Sequence, residues 1–227
     1  MGAATAALPR QLALALEHTE SYAREDFLAG PPNQAALRLI ERWPDWPDRM
    51  MLLVGPEGCG KSHLAAIWVQ AAGARSMATR ALAIERIPGA LATGALLVED
   101  LRAGAFDERA LFHLLNLARE ERAFVLFTAR SAPASWTIET PDLASRLRAL
   151  PLVALAPPDD VLLRALIFKL FADRQIAVDD SLVGFLIARI ERSFAGVRRA
   201  VATLDQEALR LQRPVTKALA GSLFREP

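Results

Sequence analysis

The sequence predicts an α/β protein in which a parallel sheet carries helices on both faces and is followed by a small all-helical lid. Three observations lead to this prediction. Apolar runs typical of buried strands alternate with amphipathic stretches as far as residue 156. A glycine-rich loop directly follows the strand at 50–54. After the proline pair Pro157-Pro158, which favours a hinge, only helical periodicity remains.

The composition sets limits on size, charge and compartment. With 227 residues and 52% hydrophobic content, the chain is long enough to bury a core in one large and one small domain. Its 27 basic and 26 acidic residues give a net charge of +1, which excludes strong non-specific attraction to nucleic acid or a membrane surface. One cysteine, Cys59, cannot form an internal disulfide, and no secretory or transmembrane stretch is evident, so a cytoplasmic location is expected.

The glycine-rich loop carries the most specific motif. It fits G-x-x-x-x-G-K-[ST] between a strand and a helix and reads Gly55-Pro56-Glu57-Gly58-Cys59-Gly60-Lys61-Ser62. Positive φ is expected at all three glycines, so that backbone N–H groups surround a phosphate. Lys61 would reach the β/γ-phosphates and Ser62 would ligate Mg²⁺, so the expected cofactors are ADP or ATP with Mg²⁺. A glycine-rich turn with a chance lysine is the alternative.

The elements before residue 90 follow from local patterns. Gln11, Leu12, Leu14 and Leu16 form a short apolar peptide that either packs on the domain or docks on a partner. An extended linker over 24–32 leads to a helix that Asn33 is expected to cap. After the loop and its helix, we expect a strand near 74–77, a helix or loop over 79–87, and a turn at Pro88-Gly89.

The next apolar run, 95–100, ends in Glu99 and Asp100. This pattern is typical of a strand that is buried on both faces and whose carboxyl end reaches a ligand crevice. These acids are either solvated charges or part of a magnesium site, with Ser62 and Glu99 as the metal ligands. A helix over 107–122, a strand over 123–128, a helix with cap Thr140 and first residue Pro141, and a strand over 151–155 complete the predicted α/β part. The predicted lid helices are 159–174, 179–192, 194–211 and 216–224.

Several segments resemble the AAA+ class and, within it, the replication initiator DnaA and its Hda-type regulators. The segments that carry the resemblance are 27–34, 142–147, 151–159 and 195–200. The resemblance implies that Arg146 is an arginine finger directed at a neighbouring subunit's nucleotide and that Arg198 contacts the chain's own. With the loop residues and His63, Arg198 completes the expected cofactor-binding set. Without this resemblance, both arginines are interpreted as surface charges.

Two positions depart from the family pattern. Glu99-Asp100 stands where the family has a pair of aspartates, and Arg130 stands at the sensor-1 position, which the family fills with an acid. The predicted catalytic set is therefore Arg146 acting in trans, with Asp100 and Glu99 as weakened groups of the chain's own site. An error of about 1 Å in placing such a group costs roughly 10²-fold in rate.

The resemblance implies a regulator, because Gln11-Leu12-Ala13-Leu14-Ala15-Leu16 is similar to the clamp-binding peptide of Hda proteins and the sequence ends at Pro227 without the helix-turn-helix domain of initiators. Such a regulator would bind the sliding clamp (the β subunit of DNA polymerase III) and stimulate ATP hydrolysis by DnaA, with no sequence-specific DNA binding and with homodimerisation left open. We expect a flexible N-terminal segment with the clamp-binding motif over 1–22, an AAA+ nucleotide-binding domain over 23–156 and a helical lid domain over 157–227.

The alternative function is that of a self-sufficient AAA+ motor acting on DNA. A small-molecule kinase is a more distant alternative, because it would leave the lid unexplained.

Overall fold

Within residues 22–224, which are those that the computed structural model describes, five parallel strands form one sheet in the order β2-β3-β4-β1-β5. The strands are β1 (Met50–Val54), β2 (Arg75–Ala78), β3 (Ala95–Leu101), β4 (Phe124–Ala129) and β5 (Leu152–Ala154). The predicted parallel α/β class is confirmed. The peptide from Gln11 to Leu16 lies outside the described residues.

Helices connect the strands and then continue alone after β5. They are α1 (Gln34–Glu41), α2 (Lys61–Ala72), α3 (Ile87–Leu91), α4 (Glu108–Glu120), α5 (Pro141–Ala149), α6 (Asp160–Ala172), α7 (Asp180–Ile187), α8 (Phe194–Leu211) and α9 (Lys217–Leu223). No helix within residues 22–224 is both long enough and apolar enough to cross a bilayer.

Two apolar clusters cover the two faces of the sheet. One cluster joins alternate strand residues such as Leu52 and Phe127 to α3, α4 and α5. The other joins the intervening strand residues, such as Leu53 and Leu126, to α1 and α2. This alternation is the period of a strand buried on both faces. A third cluster holds α6 to α9 together and also contacts Leu28, from the segment before α1.

The register brings the carboxyl ends of three strands into one row. Ala129, the last residue of β4, pairs with Val54, the last residue of β1, and with Leu101, the last residue of β3. The residues that follow these strands therefore emerge together at one edge of the sheet. This is the edge at which ligands bind in open α/β sheets.

Several local predictions differ from the structure. The predicted turn at Pro88-Gly89 lies inside α3, where the proline occupies the first turn and its missing N–H is tolerated. Of the stretch over 79–87, expected to be a helix or a loop, residues 79–86 contain two single 3₁₀ turns and Ile87 begins α3. Thr140 precedes α5, but its side chain makes no capping hydrogen bond. The carboxylate of Glu108 instead accepts hydrogen bonds from the N–H groups of Glu139 and Thr140, both at 2.8 Å.

Gly196 in α8 offers a test of packing in the lid, the part of the chain that contains α6 to α9. A Cβ at this position would lie 2.9 Å from Cβ of Glu191 and closer still to its carbonyl oxygen, so Gly196→Ala must displace backbone. We expect a loss of about 1–3 kcal/mol in unfolding free energy, measured by urea denaturation. Gly184→Ala in α7 is the matched control, because nothing lies within 4 Å of its Cβ position. It should gain up to about 1 kcal/mol from helix propensity. Equal stability of the two variants would contradict the packing described.

Candidate functional site

The loop between β1 and α2 has the backbone that the motif requires at two of its three glycines. Gly58 has φ of 72° and Gly60, the residue before α2, has φ of 100°, a region that residues with a Cβ rarely adopt. Positive φ at Gly55 was expected and is wrong. Gly55 is needed for close packing instead, because a Cβ there would lie 2.6 Å from the carbonyl oxygen of Leu155 and 2.7 Å from Sγ of Cys59.

Lys61 places its ammonium group across this loop. Its Nζ donates to the carbonyl oxygens of Gly55 and Pro56, both at 2.7 Å, and lies 3.9 Å from Sγ of Cys59. Cys59 is 1% exposed and belongs to the cluster on the α2 face, so only its backbone is available to a ligand. Burial raises the pKa of the Cys59 thiol, and the charge of Lys61 opposes this effect. The thiol therefore stays protonated as part of the core.

A cavity of about 230 Å³ opens beside the loop, between the α/β part and the lid. Part of its lining comes from the predicted set: Gly58, Gly60, Lys61, Ser62, His63 and Arg198. The segment from Phe27 onward, which carries part of the family resemblance, contributes Phe27 and Leu28. Sequence reasoning missed the remaining lining residues, which are Tyr22, Asp26, Leu166, Phe194 and Ala195.

His63 acts as an anchor for the segment before α1. It is 6% exposed, and its Nε2 donates to the carbonyl oxygen of Ala23 at 2.9 Å. The rings of Tyr22 and Phe27 meet the imidazole edge-on at centroid distances of 5.4 and 5.2 Å. Their apolar surface gives the cavity an aromatic wall, which suits a planar heterocycle.

Asn33 fixes the same segment from the other side. Although it precedes α1, its side chain does not cap the helix as expected. Its Oδ1 accepts from the N–H of Gly30 at 2.9 Å, and its Nδ2 donates to the carbonyl oxygen of Leu28 at 3.0 Å. Asn33 is 2% exposed, so these bonds satisfy an amide that would be costly to bury unpaired.

The lid contacts the α/β part on both sides of the cavity. The N–H of Phe194, at the start of α8, donates to the carbonyl oxygen of Gly58 at 3.1 Å. On the opposite side, Nζ of Lys169 in α6 lies 2.7 Å from Oδ1 of Asp26. Hydrogen bonds to Asp26 and Asp173 raise the pKa of Lys169. The amino-terminal ends of α2 and α8 thus both line the cavity, and their partial positive charges favour an anion there.

The two acids of β3 lie at the same sheet edge but are not among the residues that line the cavity. Arg130, immediately after β4, joins Asp100 to the loop: its Nη1 lies 2.7 Å from Oε2 of Glu57, and its Nε lies 3.5 Å from Oδ1 of Asp100. Glu99 is half-buried, and its carbonyl oxygen accepts a 2.6 Å hydrogen bond from Oγ1 of Thr79. Strand alternation places Glu99 on the α2 face.

Arg146 is also not among the cavity-lining residues of its own chain. Its guanidinium donates to Oδ1 of Asn116 and lies over the ring of Phe112, with Cζ 4.6 Å from the centroid. Both partners belong to α4. The start of α5 is held by Glu108, whose pKa is lowered by the hydrogen bonds from Thr140 and Glu139. Two neighbouring helices therefore hold Arg146 in a defined position.

Within residues 22–224, no group of three or more His, Cys, Asp or Glu side chains could hold a metal ion by itself. A Mg²⁺ ion that takes most of its ligands from phosphates and water needs only one or two protein oxygens. Ser62, exposed in the first turn of α2, carries an oxygen of this kind on the cavity lining, whereas Glu99 does not line the cavity. The arrangement is suited to binding a polyphosphate that carries a planar base.

Among known protein families, no family model matches the chain. The chain is 29% identical over 171 residues to the chromosomal replication initiator protein DnaA of Caulobacter sp. (strain K31). That match covers 63% of this chain and 34% of the relative, so the chain spans about a third of the length of the curated relative it matches.

Solved structures show the same fold at low identity. Domain III of the Thermotoga maritima replication initiation protein DnaA matches with a TM-score of 0.70 and 19% identity, covering 91% of this chain and 98% of that one. DnaA bound to AMPPCP and single-stranded DNA matches with a TM-score of 0.65 and 16% sequence identity, covering 84% of this chain and 68% of that one. The Thermotoga maritima RuvB Holliday junction branch migration motor matches with a TM-score of 0.71 and 15% sequence identity, covering 89% of this chain and 70% of that one. The chain has the AAA+ fold that the sequence predicted and is similar in sequence to DnaA.

Proposed function

We propose that this chain is an Hda-type regulator of replication initiation: it binds an adenine nucleotide and the sliding clamp, and it stimulates ATP hydrolysis by DnaA. The observation that carries the proposal is the placement of Arg146. Its guanidinium is oriented by Asn116 and Phe112 and does not line its own chain's cavity, as a group that acts on a neighbouring subunit requires. A fixed guanidinium stabilises charge that develops on the transferred phosphoryl group.

Nucleotide binding is supported by the chemistry of the cavity. The loop and the ends of α2 and α8 are suited to phosphates, while Tyr22 and Phe27 offer apolar surface to a base. Arg198, in the second turn of α8, would contact the phosphates from the lid side. Ser62 and Glu99 would hold Mg²⁺, which neutralises phosphate charge when it is bound. The matched DnaA structure is bound to AMPPCP, a nucleotide analogue.

The partners follow from the same proposal. DnaA would supply the nucleotide on which Arg146 acts, and the β clamp would bind the peptide containing Gln11, Leu12, Leu14 and Leu16. The clamp proposal rests on the resemblance of that peptide alone, since it lies outside the described residues. A cytoplasmic setting without sequence-specific DNA binding fits these partners.

The competing function is a self-sufficient AAA+ ATPase that works on DNA. It is favoured by the likeness to the RuvB motor and to DnaA bound to single-stranded DNA. The ion pair between Arg130 and Asp100 argues against it, because a motor needs an unengaged carboxylate to activate water. If the purified chain had a readily measured DNA-stimulated ATPase that Asp100→Asn eliminated, the motor would replace the regulator.

Lys61→Ala should abolish nucleotide binding, because it removes the mobile cation of the phosphate loop and charge-assisted bonds contribute ~1.5–3 kcal/mol each. Added Mg-ADP should raise the melting temperature of the wild type but not of the variant. Lys217→Ala, at the start of α9, is the control and should respond as the wild type does. An equal rise in Lys61→Ala would refute the phosphate-loop assignment.

Arg146→Ala should still bind nucleotide and clamp but fail to accelerate ATP hydrolysis by DnaA. Arginine fingers contribute ~10³–10⁵-fold in rate, so the loss should be clear in a turnover assay with clamp-loaded DNA. Arg146→Lys should not restore activity, because a point charge lacks the planar fork of a guanidinium. Arg148→Ala, an exposed arginine on the same helix, is the control. Full stimulation by Arg146→Ala would show that this arginine is an ordinary surface charge.

Leu14→Ala combined with Leu16→Ala, or Gln11→Ala alone, should release the chain from the clamp and leave the melting temperature unchanged. Two leucines buried in a groove contribute roughly 3–6 kcal/mol, so their loss should weaken binding by orders of magnitude in surface plasmon resonance. The control is Leu209→Ala with Leu211→Ala, an exposed pair with the same spacing. A lower melting temperature of the Leu14 and Leu16 variant would assign these leucines to the core.

A further inference from the structure

An irregularity at the end of β3 changes the direction of Asp100. Val98 pairs with Phe127 of β4, but the next pair on this ladder joins Leu101 to Ala129, so the ladder shifts register between them. Val98 and Leu101 nevertheless face the same apolar cluster, which regular alternation over three positions would not allow. An inserted residue of this kind redirects a side chain.

The backbone of Asp100 is held in this unusual conformation. Its φ is 56°, in the left-handed region that aspartate tolerates better than most residues. Its N–H donates to Oγ1 of Thr128 at 3.0 Å in place of a ladder partner. The bulge and the threonine together fix where the carboxylate of Asp100 lies.

That carboxylate meets two arginines. Oδ1 lies 3.5 Å from Nε of Arg130, and Oδ2 lies 3.8 Å from Nε of Arg102. Arg130 also contacts Glu57 in the phosphate loop at 2.7 Å, so one guanidinium spans the gap between the loop and the end of β3. Arg102 is the first residue after β3, and within residues 22–224 its ion pair is with Asp100 and not with the loop. The two arginines thus provide a matched comparison.

We propose that Arg130 silences ATP hydrolysis in this chain's own site by occupying the carboxylate of Asp100, an inference that rests on the proposed nucleotide site. In hydrolysis, the oxygen of water bonds to the γ-phosphorus, the bond from that phosphorus to the β,γ-bridging oxygen breaks, and ADP leaves with that electron pair. The proton of the attacking water passes to a carboxylate. The guanidinium of Arg130 lies beside Oδ1 of Asp100 and so occupies the side of this carboxylate that the proton would have to reach.

The same contacts distinguish silencing from a role in folding. The side chains of Arg130 and Asp100 are 51% and 47% exposed, and half-exposed ion pairs contribute little to stability. Arg130→Ala should therefore stay folded and keep its affinity for ADP. What changes is that Arg130 no longer occupies Oδ1 of Asp100, the oxygen at the sheet edge where the phosphate loop begins, while Arg102 still lies beside Oδ2.

The test is single-turnover hydrolysis of γ-labelled ATP with Mg²⁺ by the full chain, comparing the wild type, Arg130→Ala and Arg102→Ala. A positioned general base accelerates a reaction by about 10²–10⁴-fold. Recovering part of this acceleration should raise the hydrolysis rate of Arg130→Ala at least about tenfold above that of the wild type. Arg102→Ala should stay within about threefold of the wild type, because it leaves Arg130 in place. Adding Asp100→Asn to Arg130→Ala should remove the gain.

The outcomes separate this inference from the proposed function. An unchanged or lower rate in Arg130→Ala would overturn the inference, and a lower rate would show that the arginine acts on the phosphates. Rapid hydrolysis by the wild type would also overturn it. ADP binding is measured separately by calorimetry on the same proteins. Absence of binding in the wild type would refute the nucleotide site itself, whereas ADP binding without activation by Arg130→Ala would refute only the silencing.

Discussion

The register of three neighbouring parallel strands is the constraint on which the site depends. Because Ala129 pairs with both Val54 and Leu101, the residues that follow β1, β4 and β3 emerge at one level of the sheet edge. Gly55 begins the phosphate loop there, and Arg130 lies beside Asp100. A register shift of one residue would turn each buried strand side chain to the opposite face and separate these groups. The packing of the two sheet faces therefore also fixes the chemistry at the edge.

The strands and most of the helices could be predicted from the sequence, because apolar runs and helical periodicity are local signals that burial later confirms. The loop over 55–62 could also be predicted, because its glycines and lysine have the fixed spacing of a known motif. The register shift at Asp100 could not be predicted, because it depends on a hydroxyl from another strand, that of Thr128. The roles of Glu108 and Asn33 were missed for a similar reason: both support backbone that the helix patterns do not reveal.

Three arginines show why residue type alone does not define a role. Arg198 lines the cavity, Arg146 is held by a ring and an amide on α4, and Arg130 bridges two carboxylates. The local sequence around each arginine does not reveal its role, and only a family resemblance separated the first two. The position of Arg130 directly after an apolar strand did carry a signal, because such positions reach the sheet edge. Its partners became visible only with the register.

Two of the contacts between the lid and the α/β part have a consequence for ligand affinity. One is the hydrogen bond from Phe194 to the carbonyl of Gly58, and the other is the ion pair between Lys169 and Asp26. A ligand that contacts both parts favours the arrangement in which these contacts are formed. Lid position and ligand affinity are therefore thermodynamically linked, so whatever loosens the lid also weakens ligand binding. A partner that touches only α6 or α8 would thereby change the affinity of the cavity for its ligand.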